Sequence, residues 1–137
     1  MGVVLTKDPV AEGEVIVDGA TVRFYDSIEA HGSRNPIVLI HGTTGSTAVH
    51  FGFLYPMLAT RQRVVSIDLG QPEGELTIDS FRRQVEAVIA KVLPERKVTL
   101  LGYSLGAVVA ATVAASIPDT IENLILVAGW AKTDTQQ

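Results

Sequence analysis

The stretch from Val98 to Ala110 limits the possible folds more than any other part of this chain. An apolar run, Val98-Thr99-Leu100-Leu101, leads into Gly102-Tyr103-Ser104-Leu105-Gly106, and an alanine- and valine-rich run follows at once. A strand that enters Gly-x-Ser-x-Gly and leaves as a helix has the layout of a nucleophile elbow. So sharp a turn forces Ser104 into a strained backbone conformation. Glycines two residues before and two after it remove the Cβ atoms that would collide. The hydroxyl is then lifted above the sheet at a helix N-terminus, where the dipole favours a developing negative charge. The plainer alternative is a serine N-cap on an ordinary helix. Agreement between the motif and its flanking runs favours the elbow.

The remaining elements follow from periodicity. Val15–Val17 and Thr21–Tyr25 flank Asp18-Gly19-Ala20, a hairpin signal. Ile37–Ile40 is continuously apolar, as in a strand buried on both faces. A loop follows at Gly42-Thr43-Thr44-Gly45-Ser46, then a helix over Val49–Ala59, with Pro56 expected to kink it or make its start irregular. Val64–Asp68 is the next strand, and Leu69–Leu76 reads as loop. Thr77–Leu93 is an amphipathic helix, with Phe81, Val85, Val88, Ile89 and Val92 at helical spacing and Pro94 as its stop. Val98–Leu101 is a strand, Ser104–Ser116 a helix and Ile121–Val127 a strand. A hairpin followed by alternating strands and helices predicts one α/β domain over residues 1–137. It is a three-layer sandwich of about six strands, mostly parallel, with an antiparallel first hairpin.

Composition removes several classes of function. The net charge is -4 and there is no run of Lys or Arg, so nucleic acid is not an expected partner. Cysteine is absent, which excludes disulfides, thiolate metal sites and a Cys nucleophile. Three scattered histidines, His31, His41 and His50, do not make a metal site. No cofactor is expected. Lys7 and Asp8 interrupt the region where a signal peptide would need an apolar core. The apolar runs are too short to span a bilayer. A cytoplasmic location is the default expectation, with no membrane partner.

Other polar residues fall around the serine. Acyl transfer needs backbone N–H donors aimed at the tetrahedral oxyanion. The expected donors are Leu105, directly after the serine, and Thr43 in the glycine-bearing loop. His41 and Gly42 are expected to shape that loop. A general base must reach Ser104 while a third group orients it, and His41 is not placed for that. His31 lies in a polar turn, and His50 enters the helix after the loop and is expected to pack over the site; neither sits where sequence order places a triad histidine. Asp68 ends a strand and is expected to hold loops through backbone N–H groups. The strand, glycine loop and Asp68 imitate a dinucleotide-binding unit, but Thr44 stands where its second glycine belongs. Asp134 is the one acid after the last strand run and so the candidate triad carboxylate, although its neighbours read as a solvated tail.

These residues together resemble the N-terminal half of the α/β-hydrolase superfamily. The resemblance rests on the hairpin, the His41-Gly42 loop, the strand ending at Asp68, the Gly102–Gly106 elbow and the strand ending Leu126-Val127-Ala128-Gly129-Trp130. Within the superfamily the chain is similar to small bacterial hydrolases of the esterase, lactonase and peroxidase-like type. The resemblance implies Ser104 as nucleophile toward a small-molecule carboxylic ester, lactone or related acyl substrate. It also implies a triad in the order Ser, Asp or Glu, His. No histidine follows His50, and two core strands and the cap of the superfamily have no counterpart here. The expectation is half an active site: a truncated hydrolase, a natural half completed by a second polypeptide, or a non-catalytic binding or assembly subunit on the same scaffold. The run Leu124–Ala128 carries no charge or proline to protect a sheet edge. The expected partner is therefore a second copy or a complementary C-terminal chain.

Overall fold

A computed structural model describes residues 11–28, 34–43 and 45–127. The element order is β1 (Ala11–Val17), β2 (Ala20–Asp26), β3 (Ile37–Ile40), α1 (Thr47–Phe51), α2 (Leu54–Ala59), β4 (Val64–Asp68), α3 (Ile78–Val92), β5 (Val98–Tyr103), α4 (Leu105–Ser116) and β6 (Ile121–Val127). The strands form one sheet in the order β1-β2-β4-β3-β5-β6. β4, β3, β5 and β6 run parallel, while β1 and β2 are antiparallel to each other and β2 to β4.

The hairpin turns on two residues with positive φ, Asp18 at 52° and Gly19 at 78°. Such a pair matches the twist of the strands it joins. Both strands run further than Val15–Val17 and Thr21–Tyr25, because the pairing continues from Val17↔Ala20 out to Ala11↔Asp26. Helix α3 starts on a reciprocal cap. The Thr77 hydroxyl accepts from the Ser80 N–H at 3.0 Å, and the Ser80 hydroxyl accepts from the Thr77 N–H at 3.2 Å. Pro94 follows its end, as expected.

The single helix expected over Val49–Ala59 is two. The Ser46 hydroxyl caps α1 by accepting from the Val49 N–H, and Gly52 and Phe53 form a turn between α1 and α2 while keeping right-handed helical φ/ψ. Pro56 lies in the first turn of α2, where its missing N–H costs nothing.

Alternation along each parallel strand divides the core into two layers. Val38, Ile40, Val65, Ile67, Val98 and Leu100 face α3 and α4, packing on Phe81, Val85, Val88, Val109, Ala110 and Val113. Ile37, Leu39, Val64 and Leu101 face the other way, onto Phe51 and Tyr55 of α1 and α2. A sheet covered on both faces explains the continuous apolar run in β3. At the joint of β2 and β4, Arg63 donates twice to the buried Asp26 carboxylate, at 3.0 and 2.7 Å. Among the described residues no helix is long and apolar enough to cross a membrane.

Candidate active site

The site lies at the carboxyl ends of β3, β4 and β5. Ser104 joins β5 to α4 with φ 59° and ψ −119°, a conformation L residues rarely hold. Its N–H donates to the Val127 carbonyl at 2.8 Å, so β6 braces the turn. The flanking glycines are sterically required. A Cβ on Gly102 would lie 2.2 Å from the Gly106 carbonyl oxygen, and one on Gly106 would lie 2.1 Å from the Ile40 carbonyl oxygen. Helix α4 therefore begins in direct contact with the end of β3. Leu105 is its first residue.

The loop after β3 closes on this turn. A Cβ on Gly42 would lie 2.9 Å from both the Ser104 Cβ and the Tyr103 carbonyl oxygen. Thr43 follows, exposed. His41 is buried, and its Nε2 accepts from the Leu69 N–H at 3.0 Å. Its Nδ1 must then carry the proton and donates to the Gly42 carbonyl at 2.8 Å. Both ring nitrogens are thus committed to main chain, and His41 has no free lone pair for the serine proton.

His50 fills the opposite side of the loop. Its Nδ1 accepts from the Gly42 N–H at 3.0 Å, and its ring stands edge-on to Tyr103 with centroids 4.9 Å apart. Gly45 lies under that ring, where a Cβ would meet Cε1 at 2.1 Å. Asp68 accepts from the Thr47 N–H at 2.7 Å and so ties the start of α1 to the end of β4. Beneath it the buried hydroxyls of Thr47 and Ser66 pair at 2.7 Å. Burial, with Asp68 close by, pushes the Tyr25 hydroxyl above its ordinary value. A largely apolar cavity of about 390 Å³ opens beside the turn, lined among others by His50, Leu54, Leu101 and Tyr103.

The structure therefore brings Ser104, Leu105, Gly42, Gly102 and Gly106 together, with Thr43 next in the loop and His41 behind it. His31 and Asp134 lie outside the described residues. Among the described residues no group of three acidic or histidine side chains could hold a metal ion. Sequence reasoning missed two anchors: His50 as acceptor for Gly42, and Gln84 of α3, which pairs with the main chain of Gly70. Gln84 did leave a signal. It sits three residues after Phe81 and four before Val88, a polar side chain on the apolar stripe.

The buried His41 carries a testable consequence. Burial lowers its proton affinity below the ordinary histidine value, against the opposing pull of the Gly42 carbonyl and Asp68. The unfolded chain therefore takes up a proton near pH 6.5 while the folded chain does not. Stability is expected to be complete above about pH 6.5, to fall as pH drops toward the folded value, and to level off below it. Urea midpoints from pH 7.5 to 5, for the native chain and His41→Asn, check this. The native chain should lose more stability on acidification, and equal losses would show that His41 is not held neutral by its burial.

The alpha/beta hydrolase fold family matches residues 35–137. A pimeloyl-[acyl-carrier protein] methyl ester esterase of Aeromonas hydrophila is 36% identical over 105 residues, covering 74% of this chain and 41% of that protein. The sn-1-specific diacylglycerol lipase ABHD11 of Danio rerio is 31% identical over 111 residues, covering 75% of this chain and 34% of that protein. The chain spans between 31% and 42% of the length of the curated relatives it matches. The fold is similar to that of Cfl2 from Burkholderia cenocepacia, with TM-score 0.73 at 22% identity over 90% of this chain and 42% of that one. It is also similar to a serine hydrolase involved in carbazole degradation, with TM-score 0.72 at 24% identity over 86% of this chain and 47% of that one.

Proposed function

The chain belongs to the alpha/beta hydrolase fold family, and from that premise we propose that it is the N-terminal part of a serine esterase whose nucleophile is Ser104. The observation that carries this reading is the strained turn at Ser104, with φ 59° and ψ −119°, in contact with Gly42. The substrate is a carboxylic ester, lactone or related acyl compound. Ser104 Oγ attacks the acyl carbon and gives its proton to a base. The N–H groups of Leu105 and Thr43 stabilise the tetrahedral oxyanion. Collapse breaks the bond to the leaving oxygen, which takes the proton from the base. Water then attacks the acyl-serine by the reverse of these steps and releases the acid. His41 cannot serve as base with both nitrogens occupied, and His50 Nδ1 is committed to Gly42. Among the described residues no histidine is placed to serve as base, so this reading takes the catalytic histidine from outside them, in further polypeptide or a second chain. Asp134, outside the described residues, is the candidate acid within this chain.

The test is acyl trapping. The chain is incubated with p-nitrophenyl butyrate and imidazole as external base, and peptides are mapped by mass. A butyryl adduct on the peptide holding Ser104, absent from Ser104→Ala, is expected. Adducts distributed equally in both proteins would remove Ser104 from the mechanism.

The same reading includes a partner. Strand β6 pairs only with β5 among the described strands, and Leu124, Ile125, Leu126 and Val127 are 39–48% exposed. Four consecutive exposed apolar residues on a sheet edge favour pairing with another chain. The 137-residue chain is expected to sediment above its monomer mass, increasingly with concentration, and Leu126→Lys is expected to return it toward monomer. A concentration-independent monomer whose Ile121–Val127 amides exchange freely would defeat this expectation.

A further inference from the structure

Gln84 is nearly fully buried on α3, and its amide pairs with one residue of main chain in both directions. Its Oε1 accepts from the Gly70 N–H at 2.8 Å, and its Nε2 donates to the Gly70 carbonyl at 2.9 Å. Gly70 sits close against β2, where a Cβ would lie 2.5 Å from the Thr21 carbonyl oxygen. The segment after β4 is thus clamped between α3 and β2. One residue back, the Leu69 N–H donates to His41 Nε2 at 3.0 Å, which sets the His41 tautomer. The resulting Nδ1–H holds the Gly42 carbonyl at 2.8 Å, with the Gly45 N–H on the same oxygen at 3.1 Å.

The last link is peptide geometry. The Gly42 carbonyl and the Thr43 N–H belong to one planar trans peptide, so they point in opposite directions. Holding the carbonyl toward His41 aims the Thr43 N–H away from it. We infer that Gln84 is a positioning residue for the oxyanion loop: by fixing Leu69-Gly70 it fixes the His41 imidazole, and through it the direction of the Thr43 N–H. The role in catalysis rests on Ser104 and Thr43 acting as proposed above. The role in loop geometry does not.

The experiment separates the two. Gln84→Leu and Gln84→Glu are made in the full 137-residue chain. The first readout is 15N NMR of the His41 ring nitrogens and of the Leu69 and Thr43 amides. The second is the Ser104-dependent rate of p-nitrophenyl butyrate cleavage with imidazole as external base, split into kcat and KM. Gln84→Leu is expected to move the His41 and Thr43 resonances. It should also lower kcat about tenfold at nearly constant KM, since small misplacements of a catalytic donor carry losses of up to about a hundredfold. In Gln84→Glu the introduced carboxyl accepts from Gly70 N–H at any pH, but can donate to Gly70 carbonyl only when protonated. Its rate relative to the native chain is therefore expected to recover as pH falls, which loss of stability would not produce. This variant also keeps the test open if Gln84→Leu does not fold. Unchanged His41 and Thr43 resonances in a folded variant would overturn the inference. Shifted resonances with no Ser104-dependent rate in the native chain would uphold the positioning and sink the esterase reading instead.

Discussion

Hydrolysis of p-nitrophenyl butyrate by the 137-residue chain is expected to be slow, and to rise with added imidazole only while Ser104 is present. A serine hydroxyl is a weak nucleophile at neutral pH without an adjacent base. His41 has both ring nitrogens engaged by Leu69 and Gly42, so it cannot fill that place. What remains is binding and backbone donors, which in a triad enzyme stripped of its triad leave about 10³–10⁴ over water. Losses within a triad are far from additive, so removing the serine where the base is already missing costs little turnover. Ser104→Ala is therefore expected to change the rate less than about tenfold without imidazole. With imidazole, the native chain gains a Ser104-dependent component that Ser104→Ala lacks entirely. Restoring a positioned histidine from a complementary chain is expected to add about 10²–10⁴. Vigorous turnover without imidazole, abolished by Ser104→Ala, would place the base within residues 1–137. Equal rates in both proteins at every imidazole concentration would end the hydrolase reading.

The elbow was legible because its chemistry is local. A sharp strand-to-helix turn needs glycine at fixed offsets, and Gly102 and Gly106 stand there whatever the rest of the chain does. The hairpin at Asp18-Gly19 was legible for the same reason. The break between α1 and α2 was not, because Phe51, Leu54, Tyr55 and Leu58 keep a near-helical apolar spacing across Gly52 and Phe53. The sheet order, with β4 inserted between β2 and β3, is a long-range result that spacing does not carry. The bonds behind the loop were hidden more deeply. The partners of His41, His50 and Gln84 are peptide groups of Leu69, Gly42 and Gly70. Every residue but proline has both such groups, so no side chain in the sequence marks them as the chosen ones. Even so, a glutamine on an apolar helical stripe signals a buried amide that requires a partner.

The elbow should also reveal itself as a local conflict between stability and function. Ser104 holds φ 59° and ψ −119°, where a Cβ is disfavoured, and such conformations cost of order 1–3 kcal/mol. Ser104→Gly removes that Cβ. Glycine gives back roughly 0.5–1 kcal/mol through the greater freedom of the unfolded chain. A net gain of about 1 kcal/mol is therefore expected, together with complete loss of Ser104 acylation. Gly106→Ala has the opposite sign. Its new Cβ would lie 2.1 Å from the Ile40 carbonyl oxygen and 2.5 Å from the His41 carbonyl oxygen, both backbone atoms that no rotamer change can move. Helix α4 would have to retreat from the end of β3, at about 3 kcal/mol by the measure of other overpacked cores. That retreat carries the Leu105 N–H away from the His41–Thr43 loop, so acylation falls although Ser104 is still present. Urea unfolding of the three proteins, read beside acyl trapping, makes the comparison. The order Ser104→Gly above native above Gly106→Ala in stability, with only the native chain acylated efficiently, is what strain held for function requires. A Ser104→Gly protein less stable than native would mean that the turn stores no strain, and the glycines would then serve packing alone.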